Sequence, residues 1–276
     1  MNELFITDLD HTFLHSSQKV SPFSKQIWNE VAQNRLLSVA TARSYSKTKE
    51  FLDGMCLNAP LILMDGAMVV TDEKKLIDLK TLDKTITDAI IFEGKKFDIE
   101  PFVISLDDHN RLSETFALPP LMNRFQSYLI DTSYINDPRI VYQSKSEGTH
   151  DTLKVVYMGE EEILRPLSEH LLKTFKEALE IKLAPENYMN CYFLTILHPL
   201  GDKANALRVV CDYLDIPLSR TTVFGDGLND KAMFKIAGTS FAVSNALDEV
   251  KAEASYVLPH SNDEDAVAKY LQQLKP

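Results

Sequence analysis

The sequence predicts an α/β protein, a doubly wound parallel sheet interrupted by an inserted α+β domain. Two observations carry this. At both ends of the chain, short apolar runs of strand length alternate with amphipathic helical stretches, the mark of βαβ units. Between about 81 and 193 that rhythm changes, so one core is built from residues 1–80 and 194–276 around an insert.

Residues 4–7, Leu-Phe-Ile-Thr, form a near-continuous apolar run that stops at Asp8, as a strand covered on both faces should. Ser21 followed by Pro22 starts a helix with Phe23, Ile27 and Val31 on one face. A second strand, 36–40, stops at Thr41, and Ser44 caps a helix carrying Phe51 and Leu52. Residues 61–64, the turn Asp65-Gly66 and residues 67–70 read as a hairpin. Late in the chain, 203–214 is helical with Leu207, Val210, Cys211 and Leu214 inward, and strand 221–224 stops at Gly225-Asp226. A helix from about 229 to 237 ends on Gly238. Strands at 241–243 and 256–258 flank a helix near 246–254, and Val267, Tyr270, Leu271 and Leu274 mark a last helix. In the insert, strands are expected at 102–106, 153–158 and 192–197, and a helix carries Leu164, Leu167, Leu171 and Phe175, with Pro166 near its start. The polar segments near 72–85 and 185–190 are taken as its boundaries.

Composition narrows the function. Across 276 residues, 29 Lys and Arg against 40 Asp and Glu give a net charge of −11, which disfavours nucleic acid and anionic membrane surfaces as partners. Cys56, Cys191 and Cys211 form no paired or zinc-like spacing, so buried thiols in a reducing compartment are expected. No apolar run reaches membrane-spanning length and the first residues lack a signal-peptide pattern, so the expected location is the cytoplasm.

Strands of the predicted core end in Asp8 and Asp10, in Thr41 and in Asp226, and open α/β sheets bind ligands at those carboxyl ends. If the strand persisted through Asp10, the carboxylates of Asp8 and Asp10 would share one side and repel each other unless a cation or proton lay between them. Asp226, Asn229 and Asp230 add oxygen groups at a helix start, a hard set suited to Mg²⁺. Lys203 can supply the positive charge that a phosphate among carboxylates requires. Each feature alone has a plainer reading: a solvated strand end, a helix cap, a surface lysine. Asp65 reads as a turn residue, and the seven histidines show no ligand spacing. A calcium loop starting at Asp8 fails, with Phe13 where Gly is needed and Lys19 where Glu is needed. Residues 225–230 fail as a dinucleotide loop, with Asp in place of the third glycine, and 201–204 lack the spacing of a P-loop.

Taken in order, Asp8-Leu9-Asp10-His11-Thr12, Thr41, Lys203 and Gly225-Asp226-Gly227-Leu228-Asn229-Asp230 resemble the four motifs of the haloacid dehalogenase superfamily, in particular its Cof-like type IIB branch. His11, Ala42 and Ala204 stand where that pattern often has Gly, and Asp65 where it often has Asn. The resemblance implies a Rossmann-like core with an inserted cap and a Mg²⁺-dependent phosphatase. It implies Asp8 as nucleophile and Asp10 as general acid and base. Thr41, Lys203 and Asn229 would be phosphate-binding, and Asp8, Asp10 (through its carbonyl), Asp226 and Asp230 would hold the metal. The implied partner is a small phosphorylated metabolite, a sugar phosphate first and a phosphorylated cofactor next; a phosphomutase or phosphotransferase, or a non-catalytic phosphate sensor, is the alternative. The sequence does not indicate an oligomeric state.

Overall fold

A computed structural model describes residues 3–108, 112–186 and 189–274. His109 lies outside the described residues. Two compact units share the chain, one made of 1–79 with 202–276 and the other of 80–201.

The first unit begins β1 (Leu4–Thr7), α1 (Pro22–Val31), β2 (Leu36–Val39), α2 (Tyr45–Phe51), β3 (Leu61–Leu63), β4 (Met68–Val70) and β5 (Leu76–Leu79). Ser21 and Ser44 cap α1 and α2 through their hydroxyls, as expected from the sequence. The chain then enters the second unit with α3 (Lys84–Lys95), β6 (Phe102–Asp108), β7 (Ser113–Leu118), α4 (Arg124–Ser133), β8 (Ile140–Tyr142), β9 (Thr152–Gly159), α5 (Glu161–Phe175), β10 (Glu180–Glu186) and β11 (Cys191–Leu197). It returns through α6 (Lys203–Leu214), β12 (Thr221–Gly225), α7 (Lys231–Ile236), β13 (Thr239–Ala242), α8 (Asp248–Lys251), β14 (Tyr256–Val257) and α9 (Ala266–Gln272).

The first unit's five-stranded sheet has the order β14-β13-β12-β1-β2, all parallel. A parallel bridge from Ala40 to Ile62 sets the antiparallel β3-β4-β5 sheet beside β2. From β1 the chain steps one way along the sheet, to β2, and from β12 it steps the other way, to β13. Right-handed crossovers therefore place α1 and α7 on opposite faces, and α1 packs against α9 while α6 packs against α7. Order reverses between β1 and β12, whose carboxyl ends lie side by side, with Thr7 paired to Phe224. That is the switch point at which an open α/β sheet leaves a crevice.

The second unit carries a six-stranded sheet, β10-β11-β9-β6-β7-β8, antiparallel except for β7 with β8. Its core sets Val155, Tyr157, Leu194 and Ile196 of the sheet against Ile90 of α3 and Leu164, Leu167 and Leu171 of α5. One expectation about this region needs correction. The polar segment near 185–190 connects two antiparallel strands, with Glu186 paired to Cys191, rather than bounding the insert. The segment near 72–85 contains β5, paired with β4, and the division between the two units falls within it, after Leu79. Of the cysteines, Cys191 and Cys211 are buried but Cys56 is exposed.

Candidate active site

The loop after β1 supplies Asp8 and Asp10. β1 ends at Thr7, and the Leu9 carbonyl then accepts the N–H groups of Thr12, Phe13 and Leu14, so the chain turns at once. The strand stops before Asp8, as the apolar run predicts, so the condition under which Asp8 and Asp10 would share one side is not met and the two carboxylates have different partners. Asp8 is buried and accepts from Lys203 Nζ at 2.6 Å. Asp10 is part-exposed and accepts from Arg43, Nε to Oδ2 at 2.8 Å and Nη2 to Oδ1 at 2.5 Å.

Lys203, at the start of α6, is not the surface lysine that its isolated reading would make it. Its side chain is 0% exposed and its Nζ bridges Asp8 and Asp230, the latter at 2.7 Å. The helix is placed from two sides. The Asp202 carboxylate caps it by accepting from the N–H of Ala204 and Asn205, and the Asp65-Gly66 turn presses on its first residues. A Cβ on Gly66 would lie 2.2 Å from the Asp202 carbonyl carbon, and the φ of +114° at Gly66 is in the range that favours glycine.

After β12, Asp230 Oδ2 accepts from the N–H of both Asp226 and Gly227 at 3.0 Å, which folds this loop around the carboxylate. Gly225 makes room for it, since a Cβ there would lie 2.4 Å from the same carboxyl group. Thr12 donates to Asp226 Oδ1 at 2.6 Å and so ties the first loop to the third. Thr41, fully buried, accepts through Oγ1 from the N–H of Arg43. Asn229 donates through Nδ2 to Asp65 Oδ1 at 3.2 Å, so Asp65 is both the turn residue expected and a buried support for the third loop.

The result is one cluster in which ligand oxygens of Asp8, Asp226 and Asp230 lie within 4.8 Å of one another. Burial, only partly offset by Lys203 and reinforced by Asp230, Asp226 and Asp10, holds the Asp8 carboxyl well above the usual carboxylate range. Burial and then Asp230 push Asp226 up to about 7, against the Thr12 hydroxyl and Lys203. Burial alone would lower the Lys203 pKa, but the carboxylates of Asp230 and Asp8 raise it above its ordinary value, so the ammonium stays protonated. The acids Asp8, Asp10, Asp226 and Asp230 thus outnumber the cations Lys203 and Arg43, and the surplus of negative charge is what a bound cation would relieve. Among the described residues no histidine joins a group of this kind; His15 pairs with Asp265 and His170 with Glu93. Arg43 is the site residue that sequence reasoning left without a role. Its signals were its place two residues beyond Thr41 and directly after Ala42, where the resembled pattern often has Gly before this Arg.

The switch point of the parallel sheet thus gathers three carboxylates around a buried lysine. The family model for haloacid dehalogenase-like hydrolases matches residues 5–271, and the chain belongs to that family. It is 26% identical over 290 residues to the 5-amino-6-(5-phospho-D-ribitylamino)uracil phosphatase YwtE of Bacillus subtilis, covering 97% of this chain and 96% of that one. It is 24% identical over 276 residues to the HMP-PP phosphatase of Serratia proteamaculans, covering 99% and 95%. In fold it is similar to the solved structure of SMU.1108c from Streptococcus mutans, with a TM-score of 0.81, 20% identity and 99% of each chain covered. Both of these relatives are matched over nearly their whole length.

Proposed function

We propose that the protein is a Mg²⁺-dependent phosphatase that hydrolyses a small phosphomonoester through an aspartyl-phosphate on Asp8. The observation that carries this reading is the convergence of Asp8, Asp226 and Asp230 around the buried Lys203. Magnesium fits that donor set, because it takes oxygen ligands, is bound by one or two carboxylates with water and phosphate, and offsets the excess of acids. Asp8, the Asp10 carbonyl and Asp226 would hold it, with Asp230 beside them. Its chemistry there is to neutralise charge on the transferring phosphoryl group.

The residues of the chain divide the work. An Asp8 oxygen attacks phosphorus as the ester P–O bond breaks, and Asp10 gives its proton to the departing alkoxide. Asp10, now a carboxylate, takes a proton from water as that water attacks the phosphorus of the aspartyl-phosphate, which returns Asp8 and releases phosphate. Lys203 and Thr41 hold the phosphoryl oxygens, and Asn229, braced on Asp65, supports the loop of Asp226 and Asp230. Substrate choice is assigned to the inserted segment, which enters the chain between Thr41 and Lys203. A sugar or polyol phosphate ranks first as substrate; a relative named for a phosphoribityl compound supports this and links it to the second class, phosphorylated cofactor precursors. A cytoplasmic setting belongs to the same reading, supported by three unpaired cysteines and by the absence, among the described residues, of a helix long and apolar enough to cross a membrane.

The test is phosphate release from a panel of sugar phosphates and phosphorylated cofactor precursors, with Mg²⁺ or with excess chelator. Turnover of at least one alkyl ester that vanishes on chelation is expected. Equal turnover in chelator would remove the metal from the mechanism, and no release from any ester would remove the activity.

A further inference from the structure

The Asp10 carboxylate sits where the backbone gives it little support. β1 has ended three residues earlier, and the next residue, His11, is in the left-handed region with φ 56°. Among the described residues no side chain other than Arg43 hydrogen-bonds that carboxylate, and Arg43 does so as a fork, one nitrogen to each oxygen. The guanidinium is itself held. Its carbon lies 4.3 Å from the centroid of the Phe51 ring on α2, the Arg43 N–H donates to Thr41 Oγ1 at 3.2 Å, and the Arg43 carbonyl accepts from the Met64 N–H at 3.1 Å.

We propose that Arg43 is a positioning residue that fixes the rotamer of Asp10, so that leaving-group protonation and water activation both depend on it. This rests on the reading of Asp10 as general acid and base. The physical case is one of shape. A planar guanidinium meeting both oxygens sets the plane as well as the direction of the carboxylate, whereas a lysine ammonium would offer a point charge and leave the plane free. A proton must pass over hydrogen-bond distance to the departing oxygen, and a misplacement of about 1 Å costs about a hundredfold in rate. Arg43 would therefore act through Asp10, while Thr41, beside it in sequence, would act on the phosphoryl group.

The experiment is a double-mutant cycle on Arg43→Met, Asp10→Ala and the pair, with Arg43→Lys alongside. It uses glucose 6-phosphate and p-nitrophenyl phosphate, and inorganic phosphate as a competitive inhibitor. Arg43→Met should lower kcat on both esters through the shared hydrolysis step, and should lower kcat/KM about a hundredfold on the sugar ester but less on the aryl ester, whose leaving group needs no proton. Inhibition by phosphate should not change, which shows the pocket intact. In the Asp10→Ala background Arg43→Met should cause no further loss, because groups acting as a unit are not additive. Arg43→Lys should stay close to Arg43→Met. A further full loss in the double variant, a parallel fall in phosphate affinity, or full recovery with lysine would overturn the proposal. If Asp10→Ala alone kept full turnover, the reading of Asp10 would fall and the proposal with it, an outcome distinct from the others.

Discussion

Two carboxylate–cation contacts, on acids that stand close together in the loop after β1, differ in burial and in the cation they meet. In one, Lys203 sits between Asp8 and Asp230 with side chains 0 to 9% exposed. In the other, Asp10 meets Arg43 with side chains 29% and 21% exposed. Burial makes the first rigid and costly to disturb, because each partner would otherwise be an uncompensated charge in a poorly solvated place. Partial exposure leaves the second cheaper to break, and a group that must give and take a proton has to reach the departing oxygen and then a water. On the proposed mechanism, the cluster that would hold the phosphoryl group is locked, and the group that would handle protons is steered.

The largest expected effect lies in the buried cluster. Lys203→Met should lower the unfolding free energy of the metal-free protein by about 3–5 kcal/mol, since it strands Asp8 and Asp230 without their cation. It should also depress turnover of every ester. Arg43→Met, at the part-exposed pair, should change stability by about 1 kcal/mol or less. Urea denaturation of both variants checks the contrast, which would collapse if the two losses were equal.

Next comes Gly66→Ala, which drives a methyl group into the Asp202 backbone at a positive φ and so displaces the start of α6. A loss of about 1–3 kcal/mol is expected, with reduced turnover even at saturating substrate because Lys203 moves. Thermal melts with matched kinetics test this, and a melting temperature unchanged from the parent would contradict the packing described.

Asp265 lies between the two extremes, part-buried and served by neutral and histidine donors. Burial acts to raise its pKa, but hydrogen bonds from Ser21, His15 and Ser24 together outweigh it and leave the carboxyl below its ordinary value. A depressed folded pKa means that its contribution is fully present above the unfolded value of about 3.9 and is lost as pH falls through the lower folded one. Asp265→Asn should cost about 1 kcal/mol at neutral pH, and the gap between variant and parent should narrow in melts recorded below about pH 4.

Much of this was legible in the sequence where buried strands met polar residues. Asp8, Thr41 and Asp226 each follow an apolar run, and the order of the motifs joined them to Lys203 and Asp230. Arg43 was illegible because an arginine in a loop beyond a strand reads as solvated, and its fork onto Asp10 depends on how the loop after β1 turns, which no local pattern in the sequence specifies. Asp65 was read as a turn residue, which it is, yet its bond to Asn229 spans 164 positions and leaves no local trace. Strands β7, β8 and β10 went unnoticed because they alternate poorly; every residue of β10 is only partly buried, and two of the three residues of β8 are exposed. Their pairing is set by neighbours in the sheet and not by a pattern of their own.

The central claim, that the buried cluster transfers phosphate to Asp8, is tested most directly by quenching the enzyme in acid during turnover and mapping the phosphorylated residue by peptide mass spectrometry. The account predicts phosphate on Asp8, none in Asp8→Asn, and accumulation in Asp10→Asn when an aryl ester with a good leaving group is used. Phosphate on any other residue, or a labelled Asp8→Asn protein, would contradict it.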